Sequence, residues 1–424
     1  MSPNINKLSD DLSRRTMMQS IAGMTLGLSA TMPNAFSASS EATPSAGRKK
    51  VVRIFLPGGM THLDSFDPKP QSPDIMGGTK IVKTNTGEEI SAFFPEMAKR
   101  MDKIALVRSM TSSEGDHQRG RYLLETSYPL LGTIKHPNFG AWMQALNGQQ
   151  NDALPASVHI RTGYDAGFLG SSYDPFRVND PKNPLRGLVM DNPKSEESIE
   201  LLKLMAEVRT DFHKDYKFEG VEAYRKYYND SIKLMHSDDL IAFDLEQEDK
   251  ASKAKFKIPH GDTMLLARRL LEADVQYISM NIGGWDDHND LWNEMNYPRK
   301  AKDLDKALAT FLDDLYERGL LENTIVSVNT EFGRTPRISS RVGRDHHRKC
   351  FFGILAGAGV NTGTIYGKTD DKAMSVVENP VTPANFNATL AELAGLSLTK
   401  EIYSPDNRPF TVARGGKSVP GLIA

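Results

Sequence analysis

The sequence has almost no cysteine. Cys350 stands alone among 424 residues, so no internal disulfide is available and no thiolate zinc site can be assembled. Long hydrophobic runs are missing too. The apolar stretch Ile21–Leu28 is short and broken by Gly23, Thr25 and Gly27, whereas crossing a hydrocarbon core of ~30 Å takes about 20 apolar residues, so no stable membrane span is expected. Nor is there an excess of one charge: 52 Lys and Arg face 54 Asp and Glu, which leaves no overall basic field for nucleic acid. With 39% hydrophobic residues, the remainder describes an ordinary globular chain with a sizeable core.

What is present begins with Ser13-Arg14-Arg15-Thr16-Met17-Met18, followed by Ile21–Leu28 and the small-residue stretch Ala35–Ser40. A basic, then apolar, then small-residue order is that of a cleaved secretory signal, and the arginine pair makes it a twin-arginine signal over residues 1–40. The expectation is export to the periplasm, with the twin-arginine machinery as a transient partner. Residues 41–50 are polar and turn-rich and form a linker, leaving 51–424 as a single domain.

Short apolar runs recur through that domain: Val51–Leu56, Ile104–Val107, Val275–Met280, Thr324–Val328 and Phe351–Ala356. Such runs are central strands buried on both faces. Helical periodicity lies between them, as in Asp262–Glu272 and in Leu304, Leu308, Phe311, Leu312 and Leu315 ahead of Gly319. The fold class is therefore α/β, a mostly parallel central sheet with helices on both faces. The polar stretch at about 180–260 reads as a helical insertion.

In such sheets ligands bind at the carboxyl ends of the strands, and chemistry-bearing residues gather there. Gly58-Gly59-Met60-Thr61-His62-Leu63-Asp64 follows the first run, Arg108-Ser109-Met110-Thr111 and then His117 the second, Gly283-Gly284-Trp285-Asp286-Asp287-His288 the third, and Glu331-Phe332-Gly333-Arg334 the fourth. Gly343-Arg344-Asp345-His346-His347 precedes the fifth. Carboxylates and imidazoles collected at one edge suit a divalent ion such as zinc or manganese when no thiolate is present. Taken singly the same groups have structural readings: Asp286-Asp287 can cap a helix and Arg334 can be an ion-pair partner.

These motifs, together with Gly167-Phe168-Leu169-Gly170 and Leu266-Ala267-Arg268-Arg269-Leu270, resemble the exported family of proteins of unknown function numbered fifteen-oh-one, which is related to the alkaline phosphatase and sulfatase superfamily. The resemblance covers essentially residues 51–424. It implies an alkaline phosphatase/sulfatase-like fold and one or two ions held by Asp286, His288 and His346, with Glu331, His62 and Asp64 as further ligands. It places the nucleophile at Thr111 or Ser109, with His117 orienting it or acting as acid, and gives Arg334 and Arg108 the negative charge of a substrate to counter. The function implied is a metal-dependent hydrolase of phosphate or sulfate esters, acting on a small anionic ester or a sulfated or phosphorylated glycan. The departures from the superfamily pattern, Pro57-Gly58-Gly59 and Glu331-Phe332-Gly333 where aspartate and Asp-His-Gly are expected, keep open a non-catalytic envelope binding protein of the same fold.

Overall fold

The computed structural model describes residues 48–161, 163–185, 233–234 and 237–424. The expected signal peptide lies outside the described residues, as do most of the linker and most of the 180–260 segment. Within the latter, residues 237–260 form short 3-10 turns and the helix Lys250–Lys255.

The centre is an eight-stranded sheet: β1 (Lys50–Phe55), β2 (Ile104–Met110), β3 (Ser157–Ile160), β4 (Phe176–Val178), β5 (Tyr277–Asn281), β6 (Thr324–Asn329), β7 (Phe351–Gly357) and β8 (Thr364–Tyr366). Their spatial order is β8-β2-β7-β6-β1-β5-β3-β4. Strands β6, β1, β5, β3 and β4 pair in parallel, β8 is parallel to β2, and β7 alone runs against its neighbours β2 and β6. The five apolar runs of the sequence are all here.

Consecutive strand residues face opposite sides, so Val52 and Ile54 enter one core while Val51 and Phe55 enter the other. Helices α3 (Gly261–Glu272) and α4 (Tyr297–Glu317) cover the first face; α1 (His117–Thr126), α2 (Phe139–Asn147) and α5 (Pro383–Leu393) cover the second. Leu304, Leu308, Phe311, Leu312 and Leu315 of α4 are all buried at helical spacing, and the chain leaves that helix through Gly319 at φ 70°. Side-chain caps set the starts of α1, α2 and α5: Asp116 accepts from the Arg119 N–H, Asn138 from Ala141 and Thr382 from Asn385. Among the described residues no helix is long and apolar enough to cross a membrane.

Strands β1, β5 and β6 end side by side at Phe55, Asn281 and Asn329, so the loops that follow them share one edge. Gly58 holds two of these loops together. It has φ 113°, and a Cβ there would lie 2.5 Å from the Asp286 backbone nitrogen; only glycine lets the β1 loop press against the β5 loop.

Candidate metal centre

Three histidines from three segments meet one carboxylate at that edge. Asp286, from the β5 loop, places Oδ1 2.9 Å from His288 Nε2, 3.3 Å from His117 Nε2 and 3.3 Å from His346 Nε2. His288 and His346 Nε2 are 3.1 Å apart. His117 arrives as the first residue of α1; His346 arrives on a two-residue antiparallel ladder with Gly333-Arg334. The Phe332 ring packs beside His117 and His346, with centroids at 4.9 and 4.7 Å.

Each imidazole is anchored by its other nitrogen. His117 Nδ1 lies 2.7 Å from Glu331 Oε1, His288 Nδ1 lies 3.1 Å from Asp345 Oδ1, and His346 Nδ1 lies 2.9 Å from the Gly115 carbonyl. All three partners are acceptors, so Nδ1 carries the hydrogen and the neutral ring keeps its lone pair on Nε2. That is the arrangement of metal-ligating histidines, whose second nitrogen donates to a carboxylate or carbonyl. His117 Nε2 is buried without a hydrogen-bond partner, which costs free energy unless something meets the lone pair. The donor set of His117, Asp286 and His346, whose ligand atoms all lie within 4.8 Å of one another, fits a divalent ion such as zinc or manganese.

The electrostatics agree with this geometry. Burial works against the Asp286 charge, but the hydrogen bond and charge of Arg334, with His117 and His288, outweigh it and hold the carboxyl well below the usual carboxylate range. The hydrogen bond to Glu331 raises the His117 pKa, whereas burial lowers that of His346. Glu331 is itself 2% exposed and accepts the Gly58 N–H at 2.8 Å through the same Oε1.

Of the other sequence-predicted residues, Arg334 borders this cluster through Asp286 and the rest occupy different surroundings. Arg334 is buried; it donates to the Gly59 carbonyl at 2.8 Å, the Arg344 carbonyl at 3.0 Å, the Gly58 carbonyl and Asp286. Arg108 donates to the Phe66 and Glu89 carbonyls at 2.8 and 2.7 Å. Asp64 is fully buried and forms an ion pair with Arg344 at 2.7 Å. His62 is buried with Nε2 3.3 Å from the Ala373 carbonyl, and burial brings its pKa down to about 4. Ser109 is fully buried and donates to the Asn379 carbonyl at 2.6 Å, while Thr111 is half-buried and its N–H donates to the Val381 carbonyl.

Sequence reasoning did not single out the anchors Asp345 and Gly115. Asp345 adjoins His346 and Gly115 lies two residues before His117, but a backbone carbonyl carries no signal in residue type.

Residues 48–423 match the family described as "Protein of unknown function (DUF1501)", and the chain belongs to that family. No curated protein matches the sequence. Solved structures similar to the chain include a mutant of the alkaline phosphatase PafA (10% identity, 90% of this chain and 100% of that one, TM-score 0.46). Others are the lipoteichoic acid synthase LtaP from Listeria monocytogenes (11%, 86% and 76%, TM-score 0.40) and the PsFucS1 sulfatase from Pseudoalteromonas sp. (10%, 89% and 72%, TM-score 0.38).

Proposed function

We propose that this chain is an exported, metal-dependent hydrolase of phosphate or sulfate esters, taking a small anionic ester or a sulfated or phosphorylated glycan. The observation that carries the reading is the meeting of the His117, His288 and His346 Nε2 atoms around Asp286, each with Nδ1 already fixed by an acceptor. Arg14-Arg15 and the segment after them support export. Zinc or manganese held by Asp286, His117 and His346 supplies Lewis acidity to a phosphoryl or sulfuryl oxygen.

The remaining work falls to the chain. Glu331 fixes the His117 ring and keeps a proton on its Nδ1. Arg334 balances the Asp286 charge and ties it to the β1 loop through Gly58 and Gly59. Phe332 shields the imidazoles from water on one side. Of the two candidate hydroxyls, Thr111 is the proposed nucleophile, because Ser109 lies within β2, fully buried on the Asn379 carbonyl.

The test is turnover. Protein loaded with zinc or manganese is screened against nitrophenyl phosphate, nitrophenyl sulfate and sulfated oligosaccharides, beside Asp286→Ala and Thr111→Ala. Turnover in the parent that both variants abolish supports the proposal. Stoichiometric metal without turnover on any ester supports the second reading, a non-catalytic envelope protein that binds metal or glycan. One observation favours that alternative: the Arg334 and Arg108 guanidinium groups both donate to backbone carbonyls and are thereby held away from a substrate anion.

A further inference from the structure

A second polar cluster lies under α1 on the face of the sheet opposite α3 and α4. Parallel register sets Arg53 of β1 beside Ser279 of β5, and Ser279 beside His159 of β3. Ser157 occupies the same face two residues before His159, opposite Tyr277. All four polar residues are at most 2% exposed. Polar residues in the middle of neighbouring strands buried on both faces run against the apolar pattern expected there; Ser327, the neighbour of Arg53 on β6, is a further buried polar group, and its Oγ accepts from Asn329.

Their hydrogen-bonding capacity is not met by protein. Arg53 Nε, Ser157 Oγ and both ring nitrogens of His159 have no hydrogen-bond partner, and Ser279 Oγ has the Tyr277 hydroxyl beside it without a well-formed hydrogen bond. Buried polar groups are almost always paired, so a group of such atoms on neighbouring strands points to something bound between them. Arg53 supplies the charge. Its Nη atoms donate to the Leu124 carbonyl and to Asn387 Oδ1, both neutral, and among the described residues no carboxylate lies within ion-pair distance of it. The nearby buried carboxylate, Glu125, pairs with Arg121 at 2.6 Å. Arg53 is thus left without a carboxylate among the described residues, and a buried charge without a counter-charge is costly. His159 does not supply the missing charge: burial, with Arg177, Arg121 and Arg53, pushes its pKa down to about 3.

We propose that Arg53, Ser157, Ser279 and His159 form an internal site for one small monovalent anion of halide size. Arg53 Nε, the two serine hydroxyls and His159 Nε2 are its donors. Gly163 closes off His159 Nδ1, since a Cβ at that glycine would lie 2.0 Å from it. The preference for a small ion comes from the same packing: a Cβ on Gly140 would lie 2.9 Å from the Ser157 Cβ and 2.4 Å from the Tyr277 ring, so the groups around Ser157 are close-packed and suit a small ion better than a polyatomic one. The bound anion neutralises Arg53 and ties β1, β5 and β3 together beneath α1, the helix that presents His117. The site does not depend on the hydrolase reading.

The experiment is thermal unfolding of the purified protein at constant ionic strength, with gluconate replaced stepwise by chloride, and bromide soaking of crystals with anomalous scattering. The expected result is a midpoint that rises by about 2 °C per tenfold chloride above the dissociation constant, and a bromide peak beside Arg53 Nε and Ser279 Oγ. Ser279→Ala, the mildest change, reduces the chloride response, and Arg53→Met abolishes it. A midpoint indifferent to chloride, a response unchanged in Ser279→Ala, or bromide at surface positions as an adventitious ion only overturns the proposal, leaving water as the occupant.

Discussion

Glu331 gives the sharpest test of how the centre is held, because it touches a histidine and no substrate. In Glu331→Gln the side chain keeps its length and shape and its charge disappears. One oxygen, Oε1, receives both His117 Nδ1 at 2.7 Å and the Gly58 N–H at 2.8 Å. Both bonds are charge-assisted, which makes each roughly twice as strong as its neutral counterpart. The hydrogen bond to Glu331 is also the main cause of the raised His117 pKa, so the glutamine returns His117 toward the ordinary value and weakens its Nε2 as a ligand. Loss of such an outer anchor typically costs about 10–100-fold in metal affinity, which is about 1.4–2.7 kcal/mol. The assay is competition for zinc against a chelator of known affinity, with the His117 ring titration followed by NMR. Zinc affinity within twofold of the parent and an unmoved His117 titration would refute the idea that Glu331 tunes this ligand.

Three further outcomes follow from the same geometry. Gly58→Ala forces a Cβ to within 2.5 Å of the Asp286 backbone nitrogen at a φ of 113°, so the expected result is loss of metal with the secondary structure intact, read by elemental analysis and circular dichroism. Arg344→Met leaves Asp64 fully buried without its ion-pair partner, a change that costs about 3–5 kcal/mol and shows as a lowered urea midpoint. Burial lowers the His62 and His136 pKa values from 6.5 to about 4, and that of His159 to about 3. Their folded pKa values lie below the unfolded one, so the stability they confer is complete above pH 6.5 and is lost as pH falls toward 4 and 3. Near pH 5 each takes up one proton on unfolding, and His159→Gln reduces that uptake by about one, measured from the slope of stability against pH.

Much of the sheet was legible because β1, β2, β5, β6 and β7 are buried on both faces and read as predominantly apolar runs, broken by residues such as Arg53, Ser279 and Ser327. Strands β3 and β4 were not, because Ser157-Val158-His159-Ile160 and Phe176-Arg177-Val178 are short and alternate polar with apolar residues. The edge of the sheet was legible as the place for chemistry, and Asp286, His288, His346 and Glu331 do meet there. Residue type and spacing, however, do not tell an outward turn from an inward one. His62 and Asp64 follow the same strand end as Gly58, yet the chain folds them inward, where Asp64 meets Arg344. His117 lies six residues past Thr111, and only the path of the loop into α1 brings its Nε2 to Asp286.

The central claim is that Asp286 and the histidines around it hold a divalent ion. It is tested most directly by elemental analysis of protein purified without added metal or chelator, beside Asp286→Ala and His346→Ala. The account predicts about one zinc or manganese per chain in the parent and loss of that metal in both variants, with the fold retained. A parent with no metal, or variants that keep the parent's metal content, would contradict it.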